Sequence, residues 1–188
     1  LRRSSAASDV YKRQGLKRED VFITTKVWND NLTESLMQPS VEESLRKLNT
    51  DYVDLLLVHW PAPPYGVAME EYLLALHNIK KAGLARNIGV SNFTIKNLQQ
   101  ATSILPATSL YTNQVEVHPY LQNIRLRDYC KANSIYITSY MPFVSGLVLK
   151  DSEVLQIAQS RACTPGEVVI AWHLDKEFCT IPSSTKPA

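Results

Sequence analysis

Six short stretches of this 188-residue sequence carry side chains with chemistry to offer, each at or near the end of an apolar run. Thr24-Thr25-Lys26-Val27-Trp28 places an ammonium just past one run. Leu57-Val58-His59-Trp60-Pro61 places an imidazole and an indole after another. Ile88-Gly89-Val90-Ser91-Asn92-Phe93 ends in a hydroxyl and an amide, and Asn113-Gln114-Val115-Glu116 holds two amides and a carboxylate. Ser139-Tyr140 adds a hydroxyl and a phenol, and Ile181-Pro182-Ser183-Ser184-Thr185-Lys186 adds three hydroxyls and a second ammonium. Taken singly these mean little. Lys26 reads as a solvated edge residue and His59 as a hydrogen-bonded structural histidine. Repeated at successive strand ends, such groups describe a lined pocket.

A pocket of that kind needs elements that bring distant strand ends together. β-rich runs at Val21 to Thr25, Val53 to His59, Asn87 to Val90, Tyr111 to Val117, Tyr136 to Tyr140 and Phe178 to Pro182 are the expected strands. Between them apolar residues recur at helical spacing: Val41, Leu45 and Leu48; Met69, Leu73, Leu76 and Ile79 before a Gly83 stop; Ile95, Leu98 and Ala101; Leu126, Tyr129 and Cys130; Val154, Ile157 and Ala158. Thr164, Pro165 and Glu167 form a capping box with proline at the first helical position, which opens a last helix. Strand and helix in alternation predict right-handed crossovers onto a parallel sheet. No GxGxxG or GxxxxGK occurs, so the glycine-rich phosphate loop of a doubly wound sheet is missing. The alternative is a (β/α)8 TIM barrel, incomplete, with about six of its eight βα units, whose chemistry belongs at the C-terminal ends of the strands.

Composition sets the limits. Hydrophobic residues make up 45%, enough for a core, and the formal charge is only +2. Residues 1 to 14, LRRSSAASDVYKRQ, hold four basic groups (Arg2, Arg3, Lys12, Arg13) and Asp9. The rest therefore has sixteen basic and seventeen acidic groups, with no basic footprint for nucleic acid. No apolar run approaches the roughly 20 residues of a membrane-spanning helix. The first fourteen residues lack the apolar stretch of a secretory signal and read as a foreign leader, resembling translated adapter sequence, ahead of a body at 15–188. Cys130, Cys163 and Cys179 have no CxxC or metal spacing; they are expected to be buried small hydrophobes in a reducing, cytoplasmic setting, and no metal site is expected.

In order and spacing, ITTKVW, DYVDLLLVHWP, IGVSNF, TNQVEVHPYLQN, ITSYMP and IPSSTK resemble the aldo-keto reductase superfamily across residues 15 to 188. Within it, IPSSTK, SYM and the short segment after Trp60 are most similar to bacterial 2,5-diketogluconate reductase B and related methylglyoxal-reducing enzymes. The resemblance implies a (β/α)8 barrel, the present strands being the third to the eighth, that reduces small α-dicarbonyls or keto sugars with NADPH, as a monomer. It implies that Lys26 is the tetrad lysine, which lowers the pKa of a tyrosine acid, and that His59 orients the substrate carbonyl, with Trp60 as a pocket wall. Ser91, Asn92 and Gln114 would bond the nicotinamide carboxamide, and Tyr140 would stack on its ring. Ser183, Ser184, Thr185 and Lys186 would meet the 2′-phosphate, although Ser183 stands where the family commonly has Lys.

The tetrad Asp and Tyr would lie upstream of Gly15, and neither Asp9 nor Tyr11 is a substitute. The chain itself is therefore expected to be inactive and, with unpaired strand edges, poorly soluble. A non-catalytic binding or regulatory member of the family, like the potassium-channel β subunits, is the alternative. His77 and His118 read as structural or exposed, Glu116 as polar lining, Lys80-Lys81 as a solvated helix end, and Asp51 and Asp54 as serving the turn and strand before HWP.

Overall fold

The computed structural model describes residues 15–183. The chain divides after Tyr111 into two compact units. In the first, β1 (Thr24–Val27), β2 (Val53–Val58) and β3 (Ala85–Ser91) pair in parallel, with Lys26 opposite Leu57 and Leu57 opposite Gly89. All six residues of β2 are buried, as a strand covered on both faces must be. Helices α1 (Glu34–Leu48), α2 (Met69–Lys81) and α3 (Ile95–Ile104) lie between and after these strands. They bury Met37, Val41, Leu45 and Leu48, then Tyr72, Leu73, Ala75, Leu76 and Ile79, then Leu98 and Ala101. These are the one-sided apolar stripes of the sequence.

Local signals set the helix ends. Asn49 closes α1 in the left-handed conformation, with its N–H on the Arg46 and Leu45 carbonyls. Gly83, at φ 78°, ends α2 where a side chain would be strained. Thr94 opens α3 by accepting from the Asn97 N–H at 3.2 Å, and Asn97 accepts in return from the Thr94 N–H at 3.0 Å.

The second unit repeats the pattern with β4 (Leu110–Glu116), which begins at the division, β5 (Tyr136–Tyr140) and β6 (Cys179–Thr180). Gln114 faces Thr138 and Glu116 faces Tyr140 in a parallel register. Helices α4 (Ile124–Ala132), α5 (Ser152–Ser160) and α6 (Pro165–Asp175) complete it. The expected capping box is present, with Thr164 and Glu167 bonded reciprocally and Pro165 at the start of α6. Val148, Val154 and Val169 pack into a small core.

Four expectations need correction. The first strand is not Val21 to Thr25 but Thr24–Val27, so Lys26 lies within the strand instead of past it. β2 begins lower, and its Asp54 and Leu55 N–H groups take the Ile23 carbonyl before the paired ladder begins. The sixth strand shrinks from five residues to Cys179 and Thr180, which pair with Thr138 and Ser139. Of the cysteines only Cys130 is buried; Cys163 is half-buried, and Cys179, on the two-residue strand β6, is exposed. Ile157 is also exposed although it lies on the apolar stripe of α5.

At the N-terminal ends of β1 to β3 a carboxylate organises two cations. Asp54 accepts from Arg18 Nη2 at 2.8 Å, Arg86 Nη1 at 3.3 Å and the Ile23 N–H at 2.9 Å. Both guanidinium groups lie over the Tyr52 ring, 4.0 and 4.1 Å from its centroid. The strand-contact role read for Asp54 is thus the observed one, with the buried charge paired as it must be.

Candidate active site

Side chains alternate along a strand, so paired residues and those two removed from them share a face. From the β1–β2–β3 register, Lys26, Trp28, His59 and Ser91 therefore fall on one face at the C-terminal ends of three adjacent strands. The His59 N–H donates to the Val27 carbonyl at 3.0 Å, which seats the histidine beside the end of β1. Its imidazole meets the Trp28 indole edge-on, with ring centroids 4.8 Å apart and planes at 81°. Trp28 is the site residue that sequence reading left without a role; its position two residues beyond Lys26 was the available signal. Trp60 lies 45% exposed.

Burial and charge tune this group. Burial lowers the Lys26 pKa by penalising the ammonium. Burial also lowers the His59 pKa, and the Lys26 charge lowers it further. A histidine so placed favours its neutral form, in which one ring nitrogen donates a hydrogen bond to an acceptor such as a carbonyl oxygen. Asn92 turns the chain at φ 62° and donates from Nδ2 to the His59 carbonyl at 3.1 Å and to Ser91 Oγ at 3.2 Å. Asn29 donates to the Pro61 carbonyl at 3.1 Å, which ties the loop after β1 to the loop after β2.

In the second unit Gln114, Glu116 and Tyr140 share one face of β4 and β5. Gln114 is buried. Burial raises the Tyr140 pKa, and the Glu116 carboxylate raises it further. Glu116 Oε1 lies 3.2 Å from Nε2 of the buried His118, whose Nδ1 has no partner among the described residues. The structural reading of His118 fits these contacts. Ser183 is exposed beyond β6, while Ser184, Thr185 and Lys186 lie outside the described residues. Among the described residues no cluster of three or more metal-ligating side chains occurs, and no helix is long and apolar enough to cross a membrane.

The first unit presents the buried Ser91 hydroxyl beside the Asn92 amide, and the second presents the buried Gln114 amide beside a phenol ring that burial and Glu116 keep un-ionised.

Comparison with known proteins supplies the lineage. Residues 6–188 match the model of the Aldo/keto reductase family. The chain is 44% identical over 182 residues to methylglyoxal reductase DkgB of Salmonella typhimurium, covering 97% of this chain and 68% of that protein. It is 36% identical to glyoxal reductase of Bacillus subtilis, covering 93% of this chain and 62% of that protein. Among solved structures, one proposed to be 2,5-diketo-D-gluconic acid reductase B superposes with a TM-score of 0.92 at 35% identity, over 97% of this chain and 64% of the other. The chain thus spans about two thirds of the length of the relatives it matches. A Bombyx mori aldo-keto reductase in complex with NADP superposes at 0.88 and 28% identity, over 97% and 64% of the two chains. With its parallel α/β architecture and these matches, the chain belongs to the aldo/keto reductase family and has six βα strands of that family's barrel.

Proposed function

We propose that the protein to which this chain belongs reduces small aldehydes and ketones, α-dicarbonyls or keto sugars among them, to alcohols with NADPH. The observation that carries this reading is the Lys26–His59 pair, two basic groups on one face at adjacent strand ends, with burial first and the lysine charge second holding the histidine toward its neutral form. His59 would donate a hydrogen bond to the substrate oxygen, orienting it and stabilising the negative charge that develops there. Trp28 and Trp60 would exclude water from the carbonyl, and the edge-on indole of Trp28 fixes the plane of the His59 ring. Lys26 would lower the pKa of a neighbouring tyrosine that serves as proton donor.

NADPH, when bound, supplies the hydride. Ser91, Asn92, Gln114 and Tyr140 would hold its nicotinamide, and Ser183 with the following Ser184, Thr185 and Lys186 its 2′-phosphate. Residues 1–14 are proposed to be a foreign leader, and the parent protein a cytoplasmic monomer. Lys26 and His59 are proposed to be the lysine and histidine of the family's tetrad, and the 188-residue chain is proposed to be inactive alone.

The test is NADPH oxidation with methylglyoxal by the full-length protein from the native gene. Turnover that falls about 10² to 10⁴-fold in Lys26→Met and in His59→Gln supports the reading. Tight NADPH binding without turnover on any carbonyl would favour the non-catalytic alternative.

A further inference from the structure

The register of β4 with β5 ends at Glu116 opposite Tyr140. The next carbonyl, on the fully buried Val117, lies beyond that register, and a buried carbonyl requires a donor. Two side chains from other elements meet it. Ser139 Oγ on β5 donates at 2.7 Å, and Nε2 of His173 on α6 lies at 3.0 Å. His173 is wholly buried. Its Nδ1 lies 2.7 Å from the Val169 carbonyl one turn back, and Trp172 and Phe178 stand against its ring. The preceding carbonyl, that of Glu116, accepts from Asn123 Nδ2 at 2.8 Å. Two consecutive carbonyls at the end of β4 are thus fixed by side chains reaching in from outside the strand.

The alternation of the strand converts this anchorage into control of the other face. Val115 and Ser139 lie on one side; Gln114, Glu116 and Tyr140 lie on the other. We propose that His173 and Ser139 are positioning residues, which hold the Val117 carbonyl and thereby set how Gln114 and Glu116 are presented beside Tyr140. This rests on the reading of Gln114 and Tyr140 as nicotinamide-binding residues. A histidine that merely filled space would be replaced equally well by leucine; one that holds a carbonyl is replaced better by glutamine, which keeps an N–H to donate.

The experiment compares His173→Leu, His173→Gln and Ser139→Ala in the full-length protein, by amide deuterium exchange and by NADPH binding. The expected result is exchange at Val117 and His118 about tenfold faster in His173→Leu, with α5 unchanged, NADPH affinity about tenfold weaker, and substantial recovery of both in His173→Gln. Native exchange at these amides in His173→Leu, or a glutamine variant no better than leucine, would overturn the proposal. Should His173→Leu fail to fold, Ser139→Ala removes the hydroxyl that donates to the same carbonyl. An exchange increase of about threefold confined to the end of β4 would then support the proposal, and none would overturn it. If the unmodified full-length protein binds no NADPH, the cofactor reading falls, while the exchange pattern still decides whether His173 positions β4.

Discussion

Lys26 and His59 show how far single residues can be read. Singly they read as an edge lysine and a structural histidine, and only the resemblance gave them a chemical role; their common face follows from strand parity once the register is known. Trp28 was not legible, since an aromatic residue after a strand has many possible uses and only the folded contact shows its edge against His59. Replacing Lys26 with Met removes one of the two causes that lower the His59 pKa. The His59 ring should then titrate at higher pH, still short of an ordinary histidine because burial remains, as NMR of its Cε1 proton would record. His59 also carries a stability consequence. With its folded pKa depressed, its contribution is present above the ordinary histidine value and is lost as pH falls through the depressed one. His59→Gln should therefore flatten the acid limb of a denaturant-midpoint against pH curve. The cysteines separate by environment: exposed Cys179 should react first with a thiol reagent, and Cys130, buried and with its pKa pushed up to about 12, last, by mass spectrometry of a labelling time course.

The elements were legible where the local code is redundant. Periodicity, Pro165 and the Thr164–Glu167 box agree on where α6 begins, so that start was found to the residue. Thr164→Ala should cost about 1 kcal/mol in urea unfolding. β1 was misplaced because Val21, Phe22 and Ile23 have strand-like side chains, whereas pairing is decided by the neighbour, and β2 takes up its register only from Thr24. β6 was overestimated for the same reason: its partner β5 offers it pairing at Thr138 and Ser139 alone. Asp54 ties Arg18, Arg86 and the Ile23 amide together, so Asp54→Ala should destabilise the first unit by about 3 kcal/mol, leaving two guanidinium groups without their shared carboxylate. A shift in urea midpoint would measure it.

For the molecule as a whole, alternation of strand and helix was enough to give the fold class, and six motifs in order were enough to give the family. The arrangement that finishes the site was less legible, since His173 anchors β4 across 56 residues of sequence and no local pattern announces a contact so distant. The full-length protein should oxidise NADPH in the presence of methylglyoxal, as the loss of NADPH absorbance would record. The Asp54 cluster and His59 stand at opposite ends of β2, five residues or about 17 Å apart. Its anchoring charges are thus kept apart from the residues proposed to meet substrate. A lineage built this way can explore new substrates by exchanging residues at one end of its strands without risking the foundation at the other.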